Sequence, residues 1–414
     1  MSATSLPFPV AYNQALHFAA RMQALKPSAI REILKVTETP QIISFAGGLP
    51  APELFPVAAV AQASAECLAE DGPASLQYGP SEGFTPLREW VSAHVGRSVD
   101  FHVSADRVLI THGSQQGLDL IARVMINPGD AIIVENPAYL GALQAFQAYE
   151  PRIIGLPSDD EGMLPESLGA FLQFQEVKPK FIYLVTNFQN PTGLSTSPAR
   201  RRTLARIAAQ HGVLVVEDDP YGSLRYSGQA SPALCADAEA GPVVYLGTTS
   251  KILAPGMRVA WAVTNNPALF QKLLTAKQAS DLHTSSFTQR IVWRVLRTPG
   301  FLEAHLQTLT ATYRVRRDVM LNALAAHLPE ETHWTRPDGG LFLWARVPEQ
   351  IDTLHLLRRA IEQKVAFVPG APFWVGEATT NTLRLNFSNA NAERIEDGVR
   401  RLGGVLKTML VEAA

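Results

Sequence analysis

The sequence is poor in cysteine, with Cys67 and Cys235 alone among 414 residues. So far apart, they form neither a disulfide framework nor a metal-ligand spacing, and buried, inert thiols with no metal are the expectation. An excess of one charge is also missing, because 36 Lys plus Arg nearly balance 38 Asp plus Glu. That removes the electrostatic case for nucleic acid or an anionic membrane as partner. No uninterrupted apolar run reaches bilayer-spanning length, and no Lys or Arg precedes Arg21, so the positive start of a secretory leader is lacking. A soluble, cytoplasmic protein is expected. Internal repeats and low-complexity tracts are absent as well, which excludes solenoids and arrays.

What is present is apolar sequence in quantity, 46% against 18% charged. A chain of this length exceeds the size at which one core stops growing, so two unequal domains are expected. Short apolar runs alternate with helical patterns through the first two thirds: Arg107-Val-Leu-Ile-Thr-His112, Ala131-Ile-Ile-Val134, Phe181-Ile-Tyr-Leu-Val185 and Val213-Leu-Val-Val216. Strand, helix, strand at this spacing means right-handed crossovers. The fold class is therefore α/β, with a mostly parallel seven-stranded-type sheet between helices. The last third holds three β-like runs among helices, Gly339–Val347, Val365–Gly370 and Thr382–Phe387, which fits a smaller α+β domain. Residues 1–45 are assigned to an N-terminal arm that is part of the small domain, 46–298 to the large domain, and 299–414 to the C-terminal small domain.

The stretch Gly247-Thr-Thr-Ser250-Lys251-Ile-Leu-Ala-Pro-Gly256-Met-Arg258 joins two apolar strands. A lysine among small and apolar residues loses solvation for its charged form, which lowers its pKa and leaves an amine able to form an imine. Lys251 is thus a candidate Schiff-base lysine. Thr248, Ser250 and Arg258 add two hydroxyls and a guanidinium fork, the groups that clamp a phosphate. Read alone, a Ser-Lys pair fits a surface loop whose lysine snorkels better than it fits a catalytic site. Partners elsewhere decide the matter, and one aldehyde with one phosphate points to pyridoxal 5′-phosphate.

Those partners fall at strand ends and turns. Ser114 and Gln115 open a helix after the 107–112 strand, where free N–H groups receive an anion; a helix cap without ligand looks similar. Glu135-Asn-Pro-Ala-Tyr139 sets an aromatic ring just past a strand's carboxyl end, the place where ligands sit in open α/β sheets. Glu217-Asp218-Asp219-Pro220-Tyr221 brings a carboxylate to the same edge, and a carboxylate buried there needs a cationic or protonated partner. Pyridoxal chemistry needs a protonated ring nitrogen, for which Asp218 is suited. Asn190 and Tyr221 can donate to the phenolate oxygen, and Tyr139 can stack on the ring. Gly47 and Gly48, in Ile43-Ser-Phe-Ala-Gly-Gly-Leu-Pro50, allow close backbone approach, while a plain turn is the simpler reading of that segment.

On these residues the chain resembles the fold type I pyridoxal-phosphate enzymes of aminotransferase class I/II over nearly its whole length. Asn190-Pro-Thr-Gly193, Asp218-Asp-Pro-Tyr221 and Ser250-Lys251 with Arg258 are similar to that family's cofactor signature. The resemblance implies that Arg384 takes the substrate α-carboxylate with Asn190, and that Tyr78 reaches the phosphate of a neighbouring subunit in a homodimer with shared sites. Phe45-Ala-Gly-Gly-Leu-Pro50, Glu135–Tyr139 and Phe367-Val-Pro-Gly370 are most similar to the 2-aminoadipate and kynurenine aminotransferase branch, which sets Gly48 and Arg31 beside the substrate. Gly222 and Trp374 depart from the pattern at the side-chain pocket. The implied reaction is a ping-pong exchange of an amino group between an L-amino acid (2-aminoadipate, glutamate, aromatic or branched-chain) and a 2-oxo acid, with Lys251 moving the proton. Two other classes share these residues: another pyridoxal enzyme, such as a racemase or β-lyase, and a non-catalytic cofactor-binding regulator.

Overall fold

The computed structural model describes residues 17–25, 41–99, 103–236 and 239–413. After the short strand β1 (Ile43–Ser44), the chain forms β2 (Val108–His112), β3 (Ala131–Asn136), β4 (Arg152–Asp159), β5 (Gly162–Met163), β6 (Phe181–Leu184), β7 (Leu214–Asp218), β8 (Val243–Thr248) and β9 (Val259–Thr264). Strands β2 to β9 make one sheet in the order β2-β9-β8-β7-β6-β3-β4-β5. The pairs β4–β3, β3–β6, β6–β7 and β7–β8 are parallel; β9 runs antiparallel to both β8 and β2. The expected mostly parallel sheet is present, with the two-residue β5 as an eighth strand at its edge.

The central strands are buried and, up to their carboxyl ends, apolar because helices cover both faces. Alternate residues therefore enter different cores. In β7, Leu214 and Val216 pack with the helices Gly113–Met125, Leu140–Gln147 and Pro267–Ser280, whereas Val215 packs on the opposite face with Leu204 and Ala208. The next residue on the Leu214–Val216 face is Asp218, which ends β7 at the carboxyl edge of the sheet. The strong amphipathy of Gly113–Met125 arises from Leu118, Ile121 and Ala122 facing the sheet.

The C-terminal third contains β10 (His333–Trp334), β11 (Phe342–Arg346), β12 (Val365–Ala366), β13 (Val368–Pro369) and β14 (Thr382–Asn386). Four of them form an antiparallel sheet in the order β10-β11-β14-β13. The run Val365–Gly370, expected as one strand, is divided: β12 pairs with β1, and β13 with β14. Residues 43–44 are thereby hydrogen-bonded to the C-terminal third, and Phe45 shares a core with Phe367, Leu385 and Ile395. The long helical region before this unit breaks twice at positive φ, at Leu282 (67°) and Gly300 (73°), giving the helices Pro267–Ser280, Ser286–Leu296 and Phe301–His327.

Among the described residues no helix is long and apolar enough to cross a membrane. Cys67 is buried; Cys235 is half-buried with its thiol pushed up by desolvation.

Candidate active site

A cavity of about 280 Å³ lies beyond the carboxyl ends of β6, β7 and β8, with Phe342 of β11 and Arg384 of β14 on its far wall. Its lining includes Gly48, Ser114, Gln115, Tyr139, Asn190, Asp218, Tyr221, Thr248, Ser250, Lys251, Arg258 and Arg384. Twelve of the fourteen residues singled out from the sequence are thus gathered in one place.

Lys251 follows β8 by three residues, and its Nζ donates to the carbonyl of Gly48 at 2.8 Å. Burial, with the positive Arg384 and Arg258 nearby, pulls its amine down to about 8. A substantial neutral fraction near pH 7–8 is what nucleophilic amine chemistry requires. The approach of Gly48 depends on its hydrogen, because a Cβ there would stand 2.9 Å from the Phe342 ring.

Asp218 is 2% exposed. Tyr183 donates to its Oδ2 at 2.9 Å, while Oδ1 is buried without a hydrogen-bond partner. Burial, opposed by the Tyr183 hydrogen bond, raises the carboxyl to about 7. An ionised carboxylate in such a place is stabilised by an added cationic donor, and none of the described side chains supplies one to Oδ1. Tyr221, 4% exposed, has its phenol pushed up by burial and lies edge-on to Phe342 with centroids 5.9 Å apart. Tyr139 folds its ring back over Gly141, where a Cβ would meet the phenol at 2.5 Å.

A second group of donors gathers around Gly113 and Arg258. Gly113 has φ +72°, and its backbone N–H donates to the Arg258 carbonyl at 3.0 Å. A side chain at Gly113 would collide with the Arg258 guanidinium at 2.2 Å, so glycine is required there for both conformation and space. The Ser114 Oγ is buried with no partner. Gln115 reaches the Gly141 carbonyl at 2.9 Å, and the Thr248 hydroxyl bonds Ser250 Oγ at 2.9 Å. Together with the first turn of Gly113–Met125, these groups form a donor-rich concavity of the kind that holds an anion.

Arg384 is 1% exposed, and its side chain extends between the rings of Phe342 (4.3 Å) and Phe373 (5.3 Å). Nη1 donates to Asn190 Oδ1 at 2.7 Å and Nη2 to the Ala46 carbonyl at 2.6 Å, while Nε has no partner. Burial draws even this guanidinium down to about 10. A buried cation with an unpaired N–H is suited to a carboxylate.

Two expected residues are elsewhere. Tyr78 is 78% exposed and does not line the cavity; its ring meets His283 edge-on at 5.7 Å. Arg31 lies outside the described residues. Conversely, Tyr183, Phe342 and Phe373 escaped the sequence reading. Tyr183 was legible only as a hydroxyl inside an otherwise apolar strand, and Phe342 and Phe373 as ordinary aromatic core residues.

The family model for aminotransferase class I and II matches residues 41–402. The chain is 45% identical over 394 residues to aromatic-amino-acid aminotransferase 1 of Thermococcus litoralis, covering 94% of each. It superposes with a TM-score of 0.88 on the alpha-aminoadipate aminotransferase of Thermus thermophilus, solved with N-(5′-phosphopyridoxyl)-L-leucine, at 42% identity over 95% of this chain and 98% of that one. The kynurenine aminotransferase of Pyrococcus horikoshii, solved with PMP, gives a TM-score of 0.90 at 44% identity, covering 95% and 97%. A cavity with a lysine of lowered pKa, a buried open carboxylate and an anion cradle is set in a chain with these likenesses throughout its length: it belongs to the class I and II aminotransferases and is a pyridoxal-phosphate-dependent enzyme of that family.

Proposed function

We propose that Lys251, Asp218, the Ser114–Arg258 cluster and Arg384 perform the amino-group transfer of this enzyme in the roles their chemistry suits. The observation that carries the assignment is that Asp218 Oδ1 and Ser114 Oγ, both in residues lining one cavity, are buried polar atoms without partners. They fit pyridoxal 5′-phosphate, whose protonated ring nitrogen suits Asp218 and whose phosphate suits Ser114, Gln115, Thr248, Ser250 and Arg258. Asn190 and Tyr221 would hold its phenolic oxygen, and Tyr139 would stack on its ring. When bound, this group supplies the electron sink that makes the substrate's Cα–H acidic.

The chain's own residues do the rest. Arg384, with Asn190, binds the α-carboxylate, and the rings of Phe342 and Phe373 restrict the guanidinium to one plane. Lys251, whose free Nζ donates to the Gly48 carbonyl, removes the proton from Cα and returns one as general base and acid. Its lowered pKa suits both directions, since a group near the working pH donates and accepts with similar ease. Asp218, ionised, keeps positive charge opposite it favourable.

The substrate range proposed is that of the 2-aminoadipate and aromatic branch, 2-aminoadipate or glutamate as well as aromatic and branched-chain amino acids; the names of the relatives support it for 2-aminoadipate and aromatic amino acids. A single-turnover spectral screen of amino acids against the purified enzyme tests it. Stoichiometric formation of the pyridoxamine form and a 2-oxo acid is expected; racemised or β-eliminated product without it would favour the racemase or lyase class. With Arg31 as the reader of a side-chain carboxylate, Arg31→Ala should lower kcat/KM for glutamate and 2-aminoadipate far more than for leucine and phenylalanine.

The functional unit proposed is a homodimer with shared sites. Tyr78 (78% exposed), Leu76 (72%) and Leu282 (48%) leave apolar surface next to the loop expected to reach a neighbour's phosphate. Mixing Tyr78→Phe and Lys251→Ala chains under conditions of subunit exchange should restore activity through hybrids with one intact site. The three-part division at residues 45 and 298 is likewise proposed, supported by the pairing of β1 with β12 and by the break at Gly300.

A further inference from the structure

Lys277 sits on the helix Pro267–Ser280 with its side chain entirely out of water, outside the cavity that contains Lys251. Its Nζ reaches four acceptors: Gln116 Oε1 at 2.9 Å, Asp281 Oδ1 and Oδ2 at 2.9 and 3.0 Å, and Thr284 Oγ1 at 3.1 Å. Three ammonium protons are thus fully used. Burial lowers this amine, and Asp281 opposes the shift.

The partner that matters is Gln116. Its Oε1 accepts a second hydrogen bond, from the backbone N–H of His112 at 2.8 Å. His112 is the residue before Gly113, whose N–H binds the Arg258 carbonyl and whose missing side chain admits the Arg258 guanidinium. One amide oxygen therefore fixes the entrance to the Ser114 turn, and Lys277 fixes that oxygen. On the other side, Thr284 anchors the ammonium to a second braced segment: its carbonyl accepts from Gln289 Nε2 at 2.6 Å and from His283 Nδ1 at 2.9 Å, and Gln289 Oε1 accepts from the Phe84 N–H at 2.8 Å. Thr284 is 2% exposed, so this end of the clamp is rigid.

We infer that Lys277 is a positioning residue for the anion cradle, acting through Gln116 to hold the His112–Gly113–Ser114 turn against Arg258. The inference rests on the phosphate role proposed for that turn. Without the ammonium, Gln116 loses the contact that aims its oxygen at His112, and the N–H groups that must converge on one anion lose their common register. Sub-ångström misplacement of such donors is enough to weaken a charge-assisted site by an order of magnitude.

The test is inorganic phosphate binding to the apoenzyme, measured by calorimetry, with the ³¹P shift of bound phosphate as a second readout. Lys277→Met and Gln116→Leu should each weaken binding about tenfold and move the shift, and the double variant should be no weaker than the worse single one, because both cut the same link. Gln116→Leu leaves the Lys277–Asp281 pair in place, so it carries the test should Lys277→Met not fold. Arg316→Met, which removes a buried cation bonded to Ser388 and Glu53 in the C-terminal third, controls for general loosening. Phosphate affinity equal to wild type in Gln116→Leu, or a loss as large in Arg316→Met, would overturn the proposal. Ser114→Ala distinguishes the underlying reading: if it too binds phosphate as wild type does, the cradle assignment itself falls.

Discussion

Two lysines in this molecule are drawn out of water, and they have opposite fates. Burial lowers both amines. Lys277 meets a carboxylate, an amide oxygen and a hydroxyl, enough to satisfy every proton of a cation. Lys251 meets one neutral carbonyl, with two guanidinium groups close enough to repel its charge. Desolvation alone therefore does not make a lysine reactive. The partner set decides, and a lysine with one neutral partner is left as the better nucleophile.

The largest effect that separates the two is on turnover. Lys251→Ala should remove activity by more than about 10⁴-fold and abolish the cofactor's visible band, since the imine and the proton carrier proposed for it would both be lost. Lys277→Met should retain the band and a measurable kcat once cofactor is saturating. Equal loss of kcat in both would erase the distinction.

The same contrast recurs one residue apart on β7. Glu217 and Asp218 are both fully buried and both raised to about 7 by desolvation. Glu217 receives Thr186 Oγ1 and the Leu234 N–H at 2.7 Å each, whereas Asp218, which lines the cavity, keeps one oxygen without a partner. Asp218→Asn should slow proton transfer by about 10²- to 10⁴-fold, read as kcat with deuterated and protiated substrate. The apoenzyme should respond in the other direction. With a folded-state pKa of about 7 against an ordinary 3.8, the native state binds more protons than the unfolded one between those values, so stability is lost as pH rises through that window. Asp218→Asn removes this cost. It should raise the apoenzyme's melting temperature by a few degrees at pH 8 and leave it unchanged near pH 4.

The smallest effect sharpens the lysine comparison by pH alone. Aldehyde labelling of apoenzyme Lys251 should increase about tenfold per pH unit below 8 and level off above it, because only the neutral amine reacts. Lys277 should remain unlabelled across the same range. Labelling of both, or a Lys251 profile that still climbs steeply at pH 10, would contradict the partner argument.

Much of this could be read in the sequence because local chemistry dictates it. Alternating apolar runs and helices specify a parallel sheet, and the polar residues that end those runs arrive at one edge by geometry. Lys251, Asp218, Asn190 and Ser114 were legible for that reason: each is a polar residue at a strand end or turn, where no core-packing role explains it. Phe342 and Tyr183 were not, because an aromatic residue in an apolar strand has the same pattern whether it meets a guanidinium, a carboxylate or other hydrocarbons. The division of Val365–Gly370 between β1 and β14 was also illegible, since both halves are equally apolar.

The sequence by itself determined which residues would stand at the carboxyl edge, because strand period and turn chemistry are properties of a few neighbouring residues. Only the tertiary structure decided what each would feel. Lys277 and Gln116 are 161 positions apart, Arg384 and Asn190 are 194, and Lys251 and Gly48 are 203. Desolvation and the number of partners around a charge are summed over segments that distant, so the difference between a clamped cation and a nucleophilic amine exists only once the chain has closed on itself.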